Sequence, residues 1–366
     1  MVLNPSLKVL HVAETIRGGI ATYINELHPY HSAVYGSAQI RYVVPEDHRD
    51  DLRGIDQANI VGFARTGRDP ASLWHMTKTT CAAIREMRPD IVHLHSTFAG
   101  MVLRPVLKAL FPNTHLVYCP HGWAFLREAS ALSHLVTKTV ERLLAPLSSR
   151  IICISSCEFE AGLKAGIARD KLTLVHNGIR RERPARVAST WDDKRTKVLF
   201  VGRLDRQKGY DLLLEAARLL EDKIHIRMIG STVVEKSRPL NLPSNVEIRG
   251  WQSHSTIEAQ LDEADLAVIP SRWEGFGFVA LEAMRARKAV VAFSIGALPE
   301  IIENGVTGIL CWPVTAEALA DALMRATQAP LTEMGAAGHE RFLQRFLIER
   351  MEGKLCEVYS EINGLK

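Results

Sequence analysis

Residues 266–285 read LAVIPSRWEGFGFVALEAMR and combine an apolar run, a loop with two glycines and a helical pattern. The apolar run Leu266–Ile269 predicts a buried strand, and Phe278–Arg285 predicts a helix. Between them, Gly275 and Gly277 allow the backbone to approach a ligand closely. The backbone N–H groups that begin the following helix are suited to phosphate oxygens. The stretch therefore predicts a strand–loop–helix unit with a ligand at its loop.

Two glutamates lie on either side of these glycines. Glu274 comes just before them, where its carboxylate could reach sugar hydroxyls, and Glu282 follows eight residues later. Glu282 would lie about 1.5 turns into the helix, where it could hold a ribose diol. Phe276 and Phe278 belong to the segment whose N–H groups would face phosphate oxygens. A solvated helix face would explain Glu282 alone, but not the Glu-Gly-Phe-Gly run before the helix.

Short β-branched runs alternate with helical patterns along the whole chain, which is typical of parallel sheets with crossover helices. The predicted strands are Lys8–Ala13, Ile40–Val44, Asn59–Phe63, Ile91–His95, Leu116–Cys119, Ile151–Ile154, Leu172–His176, Val198–Val201, His225–Ile229, Val246–Arg249, Leu266–Ile269 and Ala289–Phe293. The predicted helices are Ala21–His28, Leu73–Met87, Met101–Leu110, Leu132–Leu147, Glu158–Ala165, Asp211–Leu220, Phe278–Arg285, Ala316–Ala326 and Ile348–Ile362. The pattern predicts an α/β fold.

A polar segment divides the strands into two series. Residues 177–197 read NGIRRERPARVASTWDDKRTK, without an apolar period, which is typical of a linker. A chain of 366 residues also exceeds the roughly 250–300 residues that one hydrophobic core reaches. We therefore predict two Rossmann-like domains. Because ligands bind outside the carboxyl ends of strands in open parallel sheets, the two domains would place a cleft between those ends.

The composition is that of an ordinary globular protein, with 47% hydrophobic and 23% charged residues, which argues against a disordered or fibrous chain. A net charge of +4 is too small to indicate nucleic acid by itself. No apolar run approaches the ~20 residues of a membrane-spanning helix. The N-terminal sequence MVLNPSLKVLHVAE lacks the uninterrupted apolar core of a signal peptide. We therefore expect a cytoplasmic protein, whose six cysteines are reduced structural thiols.

Two cations follow the first strand of the second series. Arg203 comes directly after Val198–Val201 and Gly202, and Lys208 lies in the loop before Gly209. Two cations beside a helix N-terminus could bind a diphosphate. Surface salt bridges are the alternative role for both side chains.

Histidines and glycines end strands of the first series. His121 lies where a cleft residue would lie, although it could equally be an ordinary loop histidine. His93 and His95 form an H-x-H pair, but a metal site would need a third ligand that the sequence does not reveal. Polar strand-end residues are therefore the preferred interpretation. Gly18 and Gly19 follow the first strand and could either bring the backbone close to a ligand or form a tight turn.

The spacing of Glu274 and Glu282 resembles a motif of retaining glycosyltransferases with the GT-B fold, most closely glycosyltransferase family 4. Further motifs occur in the family's order: Gly18-Gly19, Ile91–Ser96, His121-Gly122, Asn177-Gly178, Gly202-Arg203-Leu204 with Lys208-Gly209, and Asn304-Gly305 with Gly308. The chain departs from the pattern at Ala297, where many members have a second glycine after Gly296. The resemblance covers nearly the whole chain.

The resemblance implies two Rossmann-like domains that face each other across a cleft, with the C-terminal helix crossing back to the N-terminal domain. Residues 1–180, with 348–366, would form the acceptor-binding domain. Residues 181–347 would form the domain that binds the nucleotide-sugar donor.

The resemblance also implies a role for each site residue. Arg203 and Lys208 would neutralise the donor diphosphate, and Glu282 would bind the ribose. Glu274 would bind the transferred sugar, and His121 would contact the same sugar. The catalytic set would be His121, Glu274, Arg203 and Lys208. Donor-binding residues would be Arg203, Lys208, Glu274, Gly275, Phe276, Gly277, Phe278 and Glu282, and the loop of Gly18 and Gly19 would close over donor and acceptor.

The implied reaction transfers a hexosyl residue from GDP-mannose or a UDP-hexose, with retention of anomeric configuration and without a metal or other cofactor. No D-x-D motif follows a predicted strand end, which argues against the metal-dependent fold type. The implied acceptor is a polyprenyl-diphosphate-linked oligosaccharide of bacterial exopolysaccharide or surface polysaccharide synthesis. The alternatives are a small soluble acceptor, a nucleotide-sugar epimerase of the same fold, and a non-catalytic nucleotide-sugar binding protein.

The net charge is unevenly distributed. Residues 1–182 contain 21 Lys and Arg against 16 Asp and Glu, a net +5, which leaves −1 for the rest. The basic half contains an amphipathic stripe of Leu132, Leu135, Val136, Val140, Leu143 and Leu144. The stripe indicates either an ordinary core-facing helix or peripheral docking on an anionic inner membrane, where each near-surface cation adds ~1 kcal/mol. We expect no nucleic-acid partner.

Overall fold

The computed structural model describes residues 7–185, 187–231 and 242–364. Residues 1–6 and 365–366 of the predicted N-terminal domain, residue 186 of the predicted linker, and residues 232–241 of the predicted donor-binding domain lie outside the described residues. The chain forms two compact units. One contains the residues up to Gly178 together with those from Ile348 onward, and the other contains Ile179–Leu347.

In the first unit, the described residues form a parallel seven-stranded sheet with the order β3-β2-β1-β4-β5-β6-β7. Its strands are β1 (Val9–Ala13), β2 (Ile40–Pro45), β3 (Ile60–Phe63), β4 (Ile91–His95), β5 (His115–Cys119), β6 (Arg150–Cys153) and β7 (Leu172–Leu174). The strand order reverses beside β1, which pairs with both β2 and β4. Ligands of such sheets bind at the carboxyl ends of the strands where the order reverses.

Helices from both ends of the chain pack on this sheet. They are α1 (Gly19–Tyr35), α2 (Pro70–Met87), α3 (Thr97–Leu110), α4 (Ala131–Leu144), α5 (Ser156–Lys164) and α12 (Ile348–Ile362). The C-terminal helix α12 contacts α1, where the Tyr35 hydroxyl donates a hydrogen bond to Sγ of Cys356 at 2.9 Å. The prediction that the C-terminal helix returns to the N-terminal unit is confirmed.

The two faces of the first sheet differ in chemistry, because successive side chains of a strand point to opposite faces. One face is apolar and is lined from β1 and β4 by Leu10, Val12, Val92 and Leu94. The other face carries His11 from β1 and His93 and His95 from β4, all buried. Here α1 contributes Tyr23 and α12 contributes Tyr359 as ring neighbours of these histidines. We call this surface the histidine face.

In the second unit, the described residues form a parallel six-stranded sheet with the order β10-β9-β8-β11-β12-β13. Its strands are β8 (Thr196–Val201), β9 (Ile224–Ile229), β10 (Val246–Ile248), β11 (Leu266–Ile269), β12 (Ala289–Phe293) and β13 (Gly308–Cys311). Its helices are α6 (Tyr210–Arg218), α7 (His254–Glu263), α8 (Phe278–Arg285), α9 (Leu298–Ile301), α10 (Ala316–Ala326) and α11 (Leu331–Arg345). Because β8 and β11 are neighbours, the loops that follow them adjoin.

The predicted strands and helices are confirmed, and α8, α10 and α12 have the predicted bounds. Most other ends differ by a few residues, but α1 continues to Tyr35, seven residues beyond the predicted end at His28, with Pro29 inside the helix. The elements β13, α7, α9 and α11 were not predicted. In α11, Gly335 and Gly338 weaken the helical pattern. A Cβ at Gly335 would overlap the carbonyl oxygen of Arg287, so close packing requires the glycine there.

The helix α4 carries the predicted amphipathic stripe, and the core-facing interpretation of that stripe is wrong. Leu132, Leu135 and Leu143 are 70%, 63% and 69% exposed. The buried side chain of α4 is Glu141, which accepts a hydrogen bond from buried Arg104 at 2.6 Å. The apolar stripe therefore faces solvent, while an ion pair fixes the inner side of the helix. Within the described chain, neither α4 nor any other helix is both long and apolar enough to cross a membrane.

Candidate functional site

The loop after β11 places the glutamate–glycine run at the N-terminus of α8. Gly277 caps this helix with a φ of 106°, in the region that favours glycine, and a Cβ there would crowd a side chain of α9. Phe276 is buried, and its ring centroid lies 6.2 Å from that of Phe346, which anchors the loop. Gly275 and Phe278 are partly exposed, so the backbone beside them is accessible to a ligand.

Glu274 and Lys208 form an ion pair that joins the loops after β11 and β8. Nζ of Lys208 donates to Oε2 of Glu274 at 2.6 Å, and the hydroxyl of Ser271 donates to the same oxygen at 3.0 Å. The Lys208 and Glu274 side chains are 22% and 11% exposed, so the pair is largely shielded from water and its attraction is strengthened. The structure therefore brings together the residues predicted to bind the sugar and the diphosphate.

Gly296 supports Glu274 from the loop after β12. Its φ is 53°, and a Cβ at this position would overlap the carbonyl oxygen of Glu274. Ala297, which replaces the second glycine of many family members, is buried at the start of α9. The turn therefore forms with alanine at its second position.

Arg203 belongs to a hydrogen-bond network in the loop after β8. Its Nη2 donates to Oε1 of Gln207 at 2.8 Å, and its Nε lies 3.0 Å from Oδ2 of Asp205. Nε2 of Gln207 donates to the carbonyl oxygen of Trp273 at 3.4 Å, which connects this network to the loop of Glu274. The side chain of Arg203 is 41% exposed, and a guanidinium has five N–H donors, so further donors remain for a ligand.

The N-terminus of α6 directly follows Lys208. Gly209 caps α6 with a φ of 65°, and a Cβ there would overlap the carbonyl oxygen of Pro270. Oδ1 of Asp205 accepts the backbone N–H of Lys208 at 2.9 Å, which fixes the loop. A helix N-terminus therefore begins beside the two predicted cations, an arrangement that suits a phosphate group.

Arg272 and Asp211 form an ion pair that was not predicted from the sequence. Nη1 and Nη2 of Arg272 donate to the two carboxylate oxygens of Asp211, each at 2.7 Å. Burial alone would raise the pKa of Asp211, but the hydrogen bonds and charge of Arg272 outweigh it and lower the pKa. The pair ties the loop after β11 to the first turn of α6. In the sequence, the only available indication of this pair was an acidic residue, Asp211, in the first turn of α6.

Glu282 lies in the second turn of α8 and is partly buried. Its carboxylate and that of Glu274 therefore belong to one continuous loop–helix segment. A glycosidase would need its two carboxylates on opposite sides of the sugar, roughly 5–9.5 Å apart. Two carboxylates on one segment are better suited to binding one ligand at two places.

His121 follows β5 in the first unit and has a φ of 52°, which is uncommon for a residue with a side chain. Its Nε2 lies 2.8 Å from Nδ1 of His95, and its ring centroid lies 4.8 Å from that of Tyr23 in an edge-on contact. Burial lowers the pKa of His121 to about 3, so the imidazole is neutral at pH 7. Uncommon backbone angles of this kind cluster at functional sites.

Gly18 and Gly19 are exposed at the start of α1. Gly18 is the N-cap with a φ of 99°, and a Cβ there would meet nothing within 4 Å, so the backbone angle alone requires glycine. The backbone N–H of Ile16 donates to Nδ1 of buried His48 at 3.3 Å, which ties the preceding residues to the unit. The two glycines are therefore the accessible part of an otherwise fixed turn.

His93 and His95 have a third histidine beside them, which the sequence did not reveal. Parallel pairing of β1 with β4 places His11 opposite His93, and nitrogen atoms of the three side chains lie within 4.8 Å of one another. Nδ1 of His11 is 2.9 Å from Nε2 of His95, and Nδ1 of His93 is 2.7 Å from the hydroxyl of Tyr359. Hydrogen bonds therefore account for the approach of these rings.

Comparison with protein families identifies two matching profiles. The profile of Glycosyl transferases group 1 matches residues 182–339, and that of Glycosyltransferase Family 4 matches residues 17–183. A Klebsiella pneumoniae protein, described as an uncharacterized 41.2 kDa protein in the cps region, is 32% identical over 83% of this chain and 86% of its own length. A glycogen synthase of Mycobacterium tuberculosis is 29% identical over 75% of this chain and 69% of its own length.

Solved structures resemble the chain over nearly its whole length. Sucrose-phosphate synthase from Thermosynechococcus elongatus aligns with a TM-score of 0.83 and 21% identity, over 98% of this chain and 100% of that chain. Anabaena Alr3699/HepE, solved in complex with UDP-glucose, aligns with a TM-score of 0.77 and 19% identity, over 97% of this chain and 100% of that chain. At these identities the likeness shows the fold, which is the GT-B fold of glycosyltransferases.

Proposed function

The chain belongs to the group 1 glycosyltransferases of family 4, and from this premise we propose that it transfers a hexosyl residue from a nucleotide-diphosphate sugar to a saccharide acceptor, with retention of configuration. The observation that carries this proposal is the 2.6 Å contact of Lys208 with Glu274 at the N-termini of α6 and α8. One small region thus offers cations and helix N–H groups for a diphosphate and carboxylates for hydroxyl groups.

Cleavage of the donor leaves negative charge on the departing diphosphate and positive charge on the sugar ring. Lys208, Arg203 and the N–H groups at the start of α8 would stabilise the departing phosphate oxygens. Preorganised charges of this kind are often the largest catalytic contribution. In this proposal they take the place that a metal ion has in other transferases, so the reaction proceeds without one.

The remaining site residues would orient the donor. Glu274, held by Ser271 and Lys208, would accept hydrogen bonds from hydroxyls of the transferred sugar. Glu282 would hold the ribose diol, and His121 would contact the transferred sugar. The acceptor would attack from the face that the diphosphate leaves, and the leaving phosphate would help to remove its proton. This front-face step accounts for retention, and it is drawn from the family resemblance.

The donor nucleotide is proposed from the family resemblance and from one solved relative. Anabaena Alr3699/HepE has been solved with UDP and with UDP-glucose, which supports a UDP-hexose. GDP-mannose remains the second donor candidate. The Klebsiella relative belongs to a cps region, which supports a role in capsule or other surface polysaccharide synthesis.

A lipid-linked acceptor and peripheral membrane contact form the second part of the proposal. The exposed stripe on α4 presents Leu132, Leu135, Val136 and Leu143 to solvent. Exposed cations accompany it at Lys138 and Arg142, on the same helix. Apolar side chains that enter the headgroup region, together with cations near anionic lipids, are the usual features of an interfacial helix. A polyprenyl-diphosphate-linked saccharide would be presented at such a surface.

The first experiment is a thermal-shift screen with UDP-glucose, UDP-galactose and GDP-mannose, followed by transfer assays. A donor at 100 times its Kd should raise the unfolding free energy by ~2.7 kcal/mol. The Lys208→Ala protein should lose most of this shift. Proton NMR of the product should show the anomeric configuration of the donor, and an inverted product would refute retention. Conversion of the donor to an epimer without acceptor would favour the epimerase alternative.

A further inference from the structure

Three histidines of the first unit form a continuous hydrogen-bonded chain that ends at His121. Nδ1 of His11 lies 2.9 Å from Nε2 of His95, and Nδ1 of His95 lies 2.8 Å from Nε2 of His121. His11 and His95 are at most 1% exposed. This series of hydrogen bonds therefore connects the histidine face to His121, the residue expected to contact the sugar.

All three imidazoles are neutral at pH 7. Burial lowers the pKa of His11 and of His121 to about 3, and it also lowers the pKa of His95. A neutral imidazole has one N–H donor and one nitrogen acceptor. Each of the two contacts therefore contains one proton. The nitrogen that carries the proton in one ring determines which nitrogen carries it in the next ring.

Only two arrangements give both contacts a proton. In the outward arrangement, Nδ1–H of His11 donates to His95, and Nδ1–H of His95 donates to Nε2 of His121. The proton of His121 is then on Nδ1. In the inward arrangement every donor is an Nε2–H, His121 donates to His95, and His11 carries its proton on Nε2.

The inner end of the chain discriminates between the two arrangements. Nε2 of His11 is buried and has no hydrogen-bond partner among the described residues. The inward arrangement would bury an N–H donor there, whereas the outward arrangement leaves only an acceptor lone pair. Orphaned buried N–H groups are rare, and orphaned acceptors are less so. The outward arrangement is therefore favoured.

On the basis of the function proposed above, we propose that His95 and His11 are positioning residues that hold His121 as its Nδ1–H tautomer. His121 would then donate a hydrogen bond from Nδ1 to a hydroxyl oxygen of the transferred sugar. His121 would serve as a donor and not as a proton acceptor for that hydroxyl. Specificity would follow, because a donor sugar without an oxygen at that position would lose this bond.

A metal ion held by His11, His93 and His95 is the competing explanation. Nitrogen atoms of these rings are close enough, within 4.8 Å. However, the nitrogens of His11 and His95 that face each other are already at hydrogen-bond distance. Nδ1 of His93 is likewise engaged, at 2.7 Å from the hydroxyl of Tyr359. The hydrogen-bonded chain is therefore the explanation we favour.

The direct test is nitrogen NMR of the full-length protein labelled with ¹⁵N in its histidine rings, at pH 7.5. His121→Asn identifies the signals of His121. The expected result is a proton on Nδ1 of His121 and an unprotonated Nε2. A proton on Nε2, a doubly protonated ring, or stoichiometric zinc in the purified protein would each overturn the proposal. This readout does not depend on activity, so it stands apart from the test of the transferase function.

The kinetic test compares two histidines of the same strand. His95→Leu should lower kcat on the order of 10²-fold, because His121 loses its partner and its orientation. His93→Leu removes an equally buried ring, which hydrogen bonds to Tyr359 and not to His11, His95 or His121. The kcat of this variant should therefore stay near the wild-type value. His95→Asn retains an amide donor near the Nδ1 position and should restore most of the lost rate.

Thermal melting of each variant separates loss of folding from loss of positioning. Equal kcat for folded His95→Leu and His93→Leu would overturn the proposal. If His95→Leu does not fold, the comparison of His95→Asn with wild type and the NMR result decide it. A wild-type protein that transfers no sugar while showing the Nδ1–H tautomer would refute the transferase function and leave the tautomer assignment in place.

Discussion

Two buried polar clusters, one in each unit, differ in chemical form. The first unit buries neutral imidazoles on its histidine face, at His11, His93 and His95. The second unit buries charges in pairs. Glu258 is 1% exposed and accepts hydrogen bonds from Arg285 and Arg183, and Arg183 also donates to Asp262 at 2.7 Å. The histidine face consists of neutral rings at pH 7, whereas the cluster around Glu258 depends on every charge having its partner.

This difference predicts different sensitivities. Burial lowers the pKa of the histidines on the histidine face. In mild acid these side chains are protonated in the unfolded state but not in the folded state, so acid favours unfolding of the first unit. In the second unit, burial alone would raise the pKa of Glu247, but hydrogen bonds from Arg227 and Arg249 lower it. The first unit should therefore respond to mild acid, and the second to the loss of a single partner.

The largest effect is expected at the centre of the second interior. Glu258→Gln removes one charge and leaves buried Arg285 without its partner and Arg183 with Asp262 alone, so the unfolding free energy should fall by about 3 kcal/mol. Glu303→Gln is the control, because Glu303 pairs with Arg341 at 3.3 Å but is 54% exposed. The control should lose less than about 1 kcal/mol. Urea unfolding measures both, and equal losses would contradict the comparison.

The ion pair at the candidate site should behave differently from the buried one. Lys208→Ala and Glu274→Ala should each lower turnover at least ~10²-fold, while melting like the wild type. The two side chains are 22% and 11% exposed, compared with 4% and 2% for Arg285 and Glu258, so we expect this pair to contribute less to the stability of the fold. Exposed Lys223, in the same unit, supplies the control Lys223→Ala, which should retain activity. Near-wild-type turnover in either site variant would remove its assigned role.

Mild acid should destabilise the first unit more than the second. A histidine with a pKa lowered in the folded state stabilises fully above the unfolded pKa of about 6.5, and the stabilisation is lost as pH falls below it. His11 alone should cost the first unit about 2 kcal/mol between pH 7 and pH 5. Urea titrations at each pH, followed by an amide-exchange pulse at one fixed pH, report β4 and β11 separately.

Two results would contradict this prediction. One is equal acid sensitivity of β4 and β11 in the exchange pulse. The other is a first unit whose pH dependence is the same in His11→Phe as in the wild type, because that variant removes one of the groups that must take up a proton.

The smallest effect on stability is expected on the outside of the first unit. Leu135→Glu should change the unfolding free energy by less than about 0.5 kcal/mol, because Leu135 is 63% exposed. It should nevertheless weaken co-sedimentation with anionic vesicles. Leu219→Glu, at a leucine of the second unit that is 62% exposed, is the control and should leave co-sedimentation unchanged. Wild-type protein that does not bind these vesicles would refute the membrane proposal.

Local patterns in the sequence predicted most of the fold and the loops of the candidate site. The run from Leu266 to Glu282 contains its strand, cap glycine and helix in order, so each part is readable without tertiary information. The family resemblance implied that Lys208 and Glu274 bind the same donor, but their ion pair was not predicted. The pattern of a short strand such as β13, which begins at Gly308, is too brief to recognise.

The histidine chain could not be predicted, because it depends on strand pairing and on register. His11 meets His95 only because β1 pairs with β4, which is distant along the chain. The pair of Arg272 with Asp211 likewise joins two loops, and neither partner indicates the other. The position of α4 also defied its pattern: its apolar side faces solvent, since Arg104 holds Glu141 inside.

The return of α12 to the first unit has a consequence for synthesis on the ribosome. The residues that enter and leave the second unit are adjacent, because the backbone N–H of Ile179 donates to the carbonyl oxygen of Phe346 at 3.0 Å. The second unit is thus an uninterrupted segment, which can fold as soon as it has left the exit tunnel. The histidine face cannot close until Tyr359 emerges and bonds to His93. The part of the chain that is translated first is therefore completed last.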